Sequence, residues 1–225
     1  MKLLSWILIF FVFCFCYTCR DTSIEPEKHY LIRVENEIVT VSDFTRAFDI
    51  VKRGYPDEAF LEPETVFEIR TRLLNEMVEE LIMINRAREL EISISHEALE
   101  NKALKFKRDY PDRVFEEMLL ENAIPFSYWK ESLRRKLLKD RVIYEELEKN
   151  MTVTPEEITA FYKSYFDNTV SEPEDETEAM TFSQEIIRQL NKEKAKELYP
   201  SWIKSLWLRY DVEINQAAWN KITGS

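Results

Sequence analysis

Glycine is almost missing from this sequence: its 225 residues include two, Gly54 and Gly224. Phosphate-cradling loops need glycine where backbone N–H groups converge on an anion, so nucleotide-binding signatures have no raw material here. Nor do the tight turns of an all-β fold. Cysteine is confined to Cys14, Cys16 and Cys19, which leaves no disulfide framework for the rest of the chain. Histidine occurs twice. His29 lies in a polar leader and reads as solvated. His96 opens HEALE, half of an HExxH zinc helix, but Glu100 stands where the second imidazole must be to hold a metal. No Ser/His or Cys/His pairing offers a nucleophile. The carboxylates run along helix faces among Lys and Arg, as solvated surfaces do, and no spacing singles out an acid/base pair. These absences predict a chain that is not an enzyme, with catalytic residues, metal and cofactors all none.

Positive charge is also in deficit. Lys and Arg number 31 against 42 Asp and Glu, a formal net charge of −11. Phosphate backbones require basic surfaces, so nucleic acid is not an expected partner, although SLRRKLLKDR is a local basic stretch. What is abundant is helix-forming: 32% of residues are charged, in long Glu, Lys, Leu and Arg stretches, which predicts a mainly α fold.

One long apolar run exists, Leu3 to Tyr17 in MKLLSWILIFFVFCFCYTCRDTS. It suits the core of a signal peptide and is short of the about 20 residues of a membrane span. The chain is therefore read as exported. Cys19 closes the run where bacterial lipoproteins carry their lipid-modified cysteine, although Cys16, Tyr17 and Thr18 before it depart from the usual small residues, and no A-x-A-like site is evident. Lipidation at Cys19, ordinary cleavage and an uncleaved anchor are the alternatives.

Beyond residue 29, HYLIRVENEIVTVSDF predicts strands around Leu31 to Val34 and Ile38 to Val41, then a helix capped by Ser42 and ending at Gly54. Pro63 opens a long helix to about Leu90. Its stripes (Val66, Ile69, Leu73, Met77, Leu81, Ile84 and Phe67, Leu74, Val78, Ile82) place it between other elements. Ser95 caps a third helix, and Pro111 opens a short fourth. Pro125 precedes a fifth with a core stripe of Trp129, Leu133, Leu137, Tyr144 and Leu147. Thr154 and Glu157 form a capping box for a sixth helix ending near Phe166. The acidic stretch DNTVSEPEDETEAM reads as a linker. Thr181 with Gln184 starts a helix to about Leu208 with a kink near Pro200, and Val212 to Ile214 is a strand expected to pair with the N-terminal hairpin.

The residues from RVENEIVTVSDF through LLNEMVEELIMINRARELEISISHEALENKALKFK, FEEMLLENAIPFSYWKESLRRKLLKDRVI and VTPEEITAFYKSY resemble, in order and in kind, the N-terminal module of the SurA and PrsA family of extracytoplasmic chaperones, over roughly residues 31 to 166. Glu91, and Asn122 or Ala123, stand where that family has Gly, and Lys130 where it has Arg. KELYPSWIKSLWLRYDVEIN is similar to the piece that follows the family's parvulin prolyl-isomerase domain and folds back onto the first piece. Between the two lie only residues 167–180, fewer than the about 50 that the smallest ordinary domains need.

The resemblance therefore implies a mainly α, SurA-N-like chaperone module without its isomerase. A small β-sheet would form from an N-terminal hairpin and a C-terminal strand, closed by a long C-terminal helix. The organisation read from it is a signal or lipoprotein signal at 1–19, a polar leader at 20–29, the first part of the module at 30–166, an acidic linker at 167–180, the completing helix and strand at 181–215, and a tail at 216–225. The function implied is ATP-independent holding of unfolded or newly exported polypeptides, outer-membrane proteins among them, in the periplasm or cell envelope. Membrane attachment would be through Cys19. The alternatives are an assembly or scaffold factor for one envelope partner and, last, a residual prolyl isomerase. A holdase needs exposed apolar side chains that adapt to many sequences, and Tyr110, Phe115, Met118, Phe126, Tyr128, Tyr162, Tyr165 and Trp207 are the candidates. Each has a competing role in the core. Phe126 and Tyr128 stand out because they flank a loop-to-helix entry away from the Trp129 stripe.

The anchor has a direct test. Cells expressing the chain and fed a fatty-acid analogue should label it, and Cys19→Ala should abolish the label; equal labelling of both would rule out acylation at that thiol.

Overall fold

The computed structural model describes residues 30–111, 113–166 and 176–224, so the segments 1–29 and 167–175, with Cys19 and His29 among them, lie outside the described residues. The described chain is mostly helical, with one small antiparallel sheet. Strand β1 (Tyr30–Val34) turns through Glu35 and Asn36 into β2 (Glu37–Thr40). Strand β3 (Val212–Ile214) pairs with the other edge of β1, giving the order β2-β1-β3. Ile32 faces Ile214, Arg33 faces Glu213 and Val34 faces Val212. Two stretches separated by almost the whole chain thus close into one unit, as the resemblance implied.

Helix α1 (Val41–Lys52) follows β2 directly. Its cap is Thr40, not Ser42: the Thr40 hydroxyl accepts from the Asp43 N–H at 3.2 Å, and the Asp43 carboxylate accepts from the Thr40 N–H at 3.1 Å. This reciprocal pairing needs an acceptor three residues on. Thr40 has Asp43 there, whereas Ser42 has Thr45. Helix α2 (Pro63–Glu89) is the central helix. Leu73, Leu74, Val78, Leu81, Ile82 and Met83 bury more than one face, because α2 packs against the sheet, α1, α5 (Phe126–Glu146) and α7 (Glu176–Arg209). Each such side chain contributes roughly 1.5–3 kcal/mol on transfer from water. Asn85 is buried among them and satisfied: its amide donates to the carbonyls of Val34 (3.2 Å) and Leu81 (2.9 Å), and its oxygen accepts from Arg88 (3.0 Å). A buried amide left unpaired would cost about 1–3 kcal/mol; here it fixes α2 against β1.

Helix α3 (His96–Arg108) is capped by Ser95, whose hydroxyl accepts from the Ala98 N–H at 3.1 Å. Helix α4 (Val114–Glu121) and α5 follow, then α6 (Pro155–Phe166), where Thr154 and Glu157 form the expected reciprocal cap. The core stripe of α5 differs from the expected one. Val142 and Leu147 are buried and Leu138 packs on the core, whereas Tyr144 is exposed. Helix α7 begins at Glu176, so Thr181 lies inside the helix and is not its cap; ETEAM is a good helix-forming run with acidic residues where the helix dipole favours them. The helix continues through Pro200.

The chain does not end in a tail after β3. Helix α8 (Gln216–Thr223) is capped by Asn215, which accepts from the Ala218 N–H at 3.0 Å, and it closes at Gly224 with φ 77°. Its Trp219 is buried, edge-on to Phe44 with centroids 5.8 Å apart. This side chain completes the core under α1.

Two helices end in left-handed residues that are not glycine. After α2, Glu91 (φ 55°) donates to the Arg88 carbonyl and Ile92 to that of Ala87; after α4, Ala123 (φ 46°) donates to Leu120 and Ile124 to Leu119. Both are Schellman closures, in which a Cβ costs about 1–2 kcal/mol that glycine avoids. They are the positions where the family that the sequence resembles has Gly, and the second is Ala123, since Asn122 has an ordinary φ of −87°. Glu91→Gly and Ala123→Gly should each raise stability by about 0.5–1 kcal/mol after the entropy glycine adds to the unfolded chain. Thermal unfolding followed by circular dichroism checks this; a lower midpoint in both variants would show that neither turn is strained.

Candidate functional site

Helix α5 spans two environments. Its C-terminal half rests on α2 through Val142 and Leu138, and its N-terminal half meets α3 and α4. At about 1.5 Å per residue its 21 residues make a strut of about 30 Å. Ion pairs fix it in place. Arg135 pairs with Glu80, and Lys139 lies 3.7 Å from Glu79. Arg86 pairs with Glu146, which also accepts from the Trp202 indole at 3.2 Å and so ties α2, α5 and α7 together. The Glu146 contacts hold the Arg86 guanidinium above its ordinary pKa.

Where α5 meets α3 and α4, five aromatic rings converge. Phe115 on α4 is the floor, 1% exposed, with its centroid 4.8 Å from Trp129, 5.8 Å from Phe106, 5.8 Å from Tyr110 and 6.5 Å from Phe126. Leu99, Ala103 and Leu119 are buried with it in a satellite apart from the main core. Two of these rings, Phe106 and Phe126, also reach solvent. Phe126 is 46% exposed and stacks on Trp129 at 5.5 Å, and Phe106, Leu104 and Val114 are exposed as well; Leu120 reaches 80%. The Lys107 ammonium lies 5.9 Å from the Phe115 and Phe126 centroids and pairs with Glu116 at 2.5 Å. That hydrogen bond holds the Glu116 carboxyl below the usual carboxylate range. Lys130 pairs with Glu100 across α3 and α5, lowering Glu100 in the same way.

Three of the eight side chains picked from sequence meet here: Tyr110, Phe115 and Phe126. Phe115 supports the face from below and is not part of its surface. Phe126 does not point away from the Trp129 stripe; three residues apart on a helix the two share a face, and they stack. Met118 and Tyr128 are half-buried nearby, and Tyr128 makes none of these ring contacts among the described residues. Trp207 is elsewhere, packed on the main core from α7. The side chains of Tyr162 and Tyr165 lie outside the described residues. Phe106, Trp129 and Leu120 were missed. The helical spacings Phe106/Tyr110 and Phe126/Trp129 were the available signal. His96 is exposed, with Nε2 3.4 Å from Glu100.

Two cavities stand apart from this face. One, of about 440 Å³, lies between the α2–α3 turn and α5 beside Ile92, Arg141 and Glu145; the other, of about 420 Å³, lies between α5 and α7 beside Tyr144, Lys192 and Tyr199. Neither is lined by a side chain picked from sequence. Among the described residues no helix is long and apolar enough to cross a membrane.

No curated protein matches the chain. The family model of the SurA-like N-terminal domain matches residues 1–123, which includes the hairpin, α1 to α4 and both left-handed turns. That is more than half of the sequence, and its elements are those just described, so the chain belongs to the SurA-like N-terminal domain family.

Proposed function

We propose that this protein is an ATP-independent chaperone of the bacterial cell envelope that holds unfolded or newly exported polypeptides, outer-membrane proteins among them, on the aromatic face of α3, α4 and α5. The observation that carries the reading is the pair of solvent-exposed rings Phe106 and Phe126, both packed on the Phe115 and Trp129 floor, with Leu104, Val114 and Leu120 also exposed on α3 and α4, in a chain of net charge −11. Isolated surface hydrophobes are ordinary, whereas a contiguous patch with a charged rim marks an interaction site. Family membership makes polypeptides the natural ligand class.

The mechanism needs no chemical step. A client segment places apolar side chains over Phe126 and Leu120, displacing water, and the pairs Lys107–Glu116 and Lys130–Glu100 keep the rim hydrated when the face is empty. Rings with few rotatable bonds lose little entropy on contact, so they accept different sequences at modest affinity. Attachment to the membrane through acylated Cys19 would raise the local client concentration, so weak and reversible contacts suffice. The parvulin chemistry of the wider family has no part in this reading, and the acidic spacer stands in its place.

Aggregation suppression tests the proposal. Chain lacking residues 1–19 should protect several unrelated unfolded proteins at near-stoichiometric ratios. The double variant Leu120→Ser, Phe126→Ser should lose most of that protection while circular dichroism shows the helical fold retained, since Leu120 is exposed and Phe126 packs on the satellite cluster apart from the main core. Protection of no unrelated client would sink the general holdase and favour a factor dedicated to one envelope partner. Acceleration of a proline-limited refolding reaction would overturn the non-enzymatic reading.

A further inference from the structure

The aromatic face carries its own cation. Lys107 places its ammonium 5.9 Å from the Phe126 and Phe115 centroids, inside the about 6 Å over which the negative face of a ring attracts positive charge. Its counter-ion is Glu116, 2.5 Å away on α4. Ring and carboxylate thus make a seat for one cation, with the exposed ring of Phe126 beside it. Helix α4, VFEEMLLE, adds to this: it holds three acidic residues and no basic one, with Val114 and Leu120 exposed among them. Glu117 and Glu121 form no ion pair among the described residues. On helix α3, Lys107 is the cation that reaches the Phe115 and Phe126 rings. At longer range the chain's charge of −11 decides, drawing in positive segments and repelling negative ones.

We infer that the aromatic face selects polypeptide segments in which Lys or Arg neighbours apolar residues, the client's cation taking the seat over Phe126 beside Glu116 that Lys107 fills when the face is empty. The inference rests on the polypeptide-holding reading above and adds charge selectivity to it. Exchange of one cation for another leaves Glu116 paired throughout, so no buried or unpaired carboxylate is created during binding. An acidic segment would bring a carboxylate towards Glu116 against the chain's net charge of −11.

The test uses the full-length chain and three labelled peptides of identical apolar content, flanked by Lys and Arg, by Ser, or by Glu, with binding read by fluorescence anisotropy. At low salt the basic peptide should bind at least about fivefold more tightly than the Ser peptide, with the Glu peptide weakest. The spread should shrink at roughly 0.5 M salt, where screening leaves only contact interactions. Lys107→Met should tighten the basic peptide a few fold and leave the Ser peptide unchanged, whereas Glu116→Gln should loosen the basic peptide alone. A merely structural Lys107 would weaken all three alike when replaced, and that result overturns the inference. So does equal binding of the three peptides, even with Phe126→Ser abolishing it, in which case polypeptide holding survives and charge selectivity does not. Binding of none would remove both.

Discussion

Strand β1 is the constraint on which the structure depends. It is the middle strand, and both its edges need partners: β2 supplies one three residues later, and β3 supplies the other from the far end of the chain. A hairpin alone is marginal in water, and a third strand with a covered apolar face is what makes it persist. The covering is α2, held in register on Val34 by the amide of Asn85. Around β3 the closure is reinforced at both ends. The Asp211 N–H donates to the Glu35 carboxylate at 3.0 Å and the Asn215 N–H to the Leu31 carbonyl at 2.9 Å, while Arg33 and the Tyr30 hydroxyl both reach Glu213. The neighbouring arginine and tyrosine hold that carboxyl below its ordinary range.

From this centre the rest is arranged by two long helices. Helix α2 presents apolar residues on several faces, so other helices can pack around it, and α5 carries part of the chain away from the main core. The result is a division of labour between two apolar clusters. The main one, from Leu31 to Trp219, is closed over by α1, α7 and α8. The satellite around Phe115 is closed below and open above, where Phe126 and Leu120 meet solvent. The ring floor holds this surface rigid, and the ion pairs Lys107–Glu116 and Lys130–Glu100 flank it with charge.

Much of the fold was legible in the sequence because its punctuation is local. Pro63, Ser95, Pro125 and the pair Thr154 and Glu157 each mark a helix start by a hydrogen bond or dihedral that a few residues determine. The errors have physical causes as well. Thr181 and Gln184 reproduce a capping pattern inside a helix, where the preceding residues already favour helix and the motif has nothing to cap. Asn215 and Gly224 bracket α8 as clearly as any pair in the chain, but the helix is short, and its stability comes from the tertiary contact of Trp219 with Phe44, which no local pattern encodes. Tyr144 sits one turn from Leu147, yet the strut turns it outward and Val142 inward, a choice made by packing on α2. The candidate site was half legible: aromatic residues could be named, but whether each lies in the floor or on the surface follows from the meeting of three helices.

Because the sheet is completed by Val212 to Ile214, it stays unfinished until those residues have been synthesised. A chain emerging N-terminus first from the ribosome has β1 with one edge unpaired until β3 follows it, and closing so distant a contact is intrinsically slow. A product of premature termination anywhere before β3 would lack the closing strand and Trp219 together. Such fragments would keep that bare strand edge, the feature through which sheets pair with other chains.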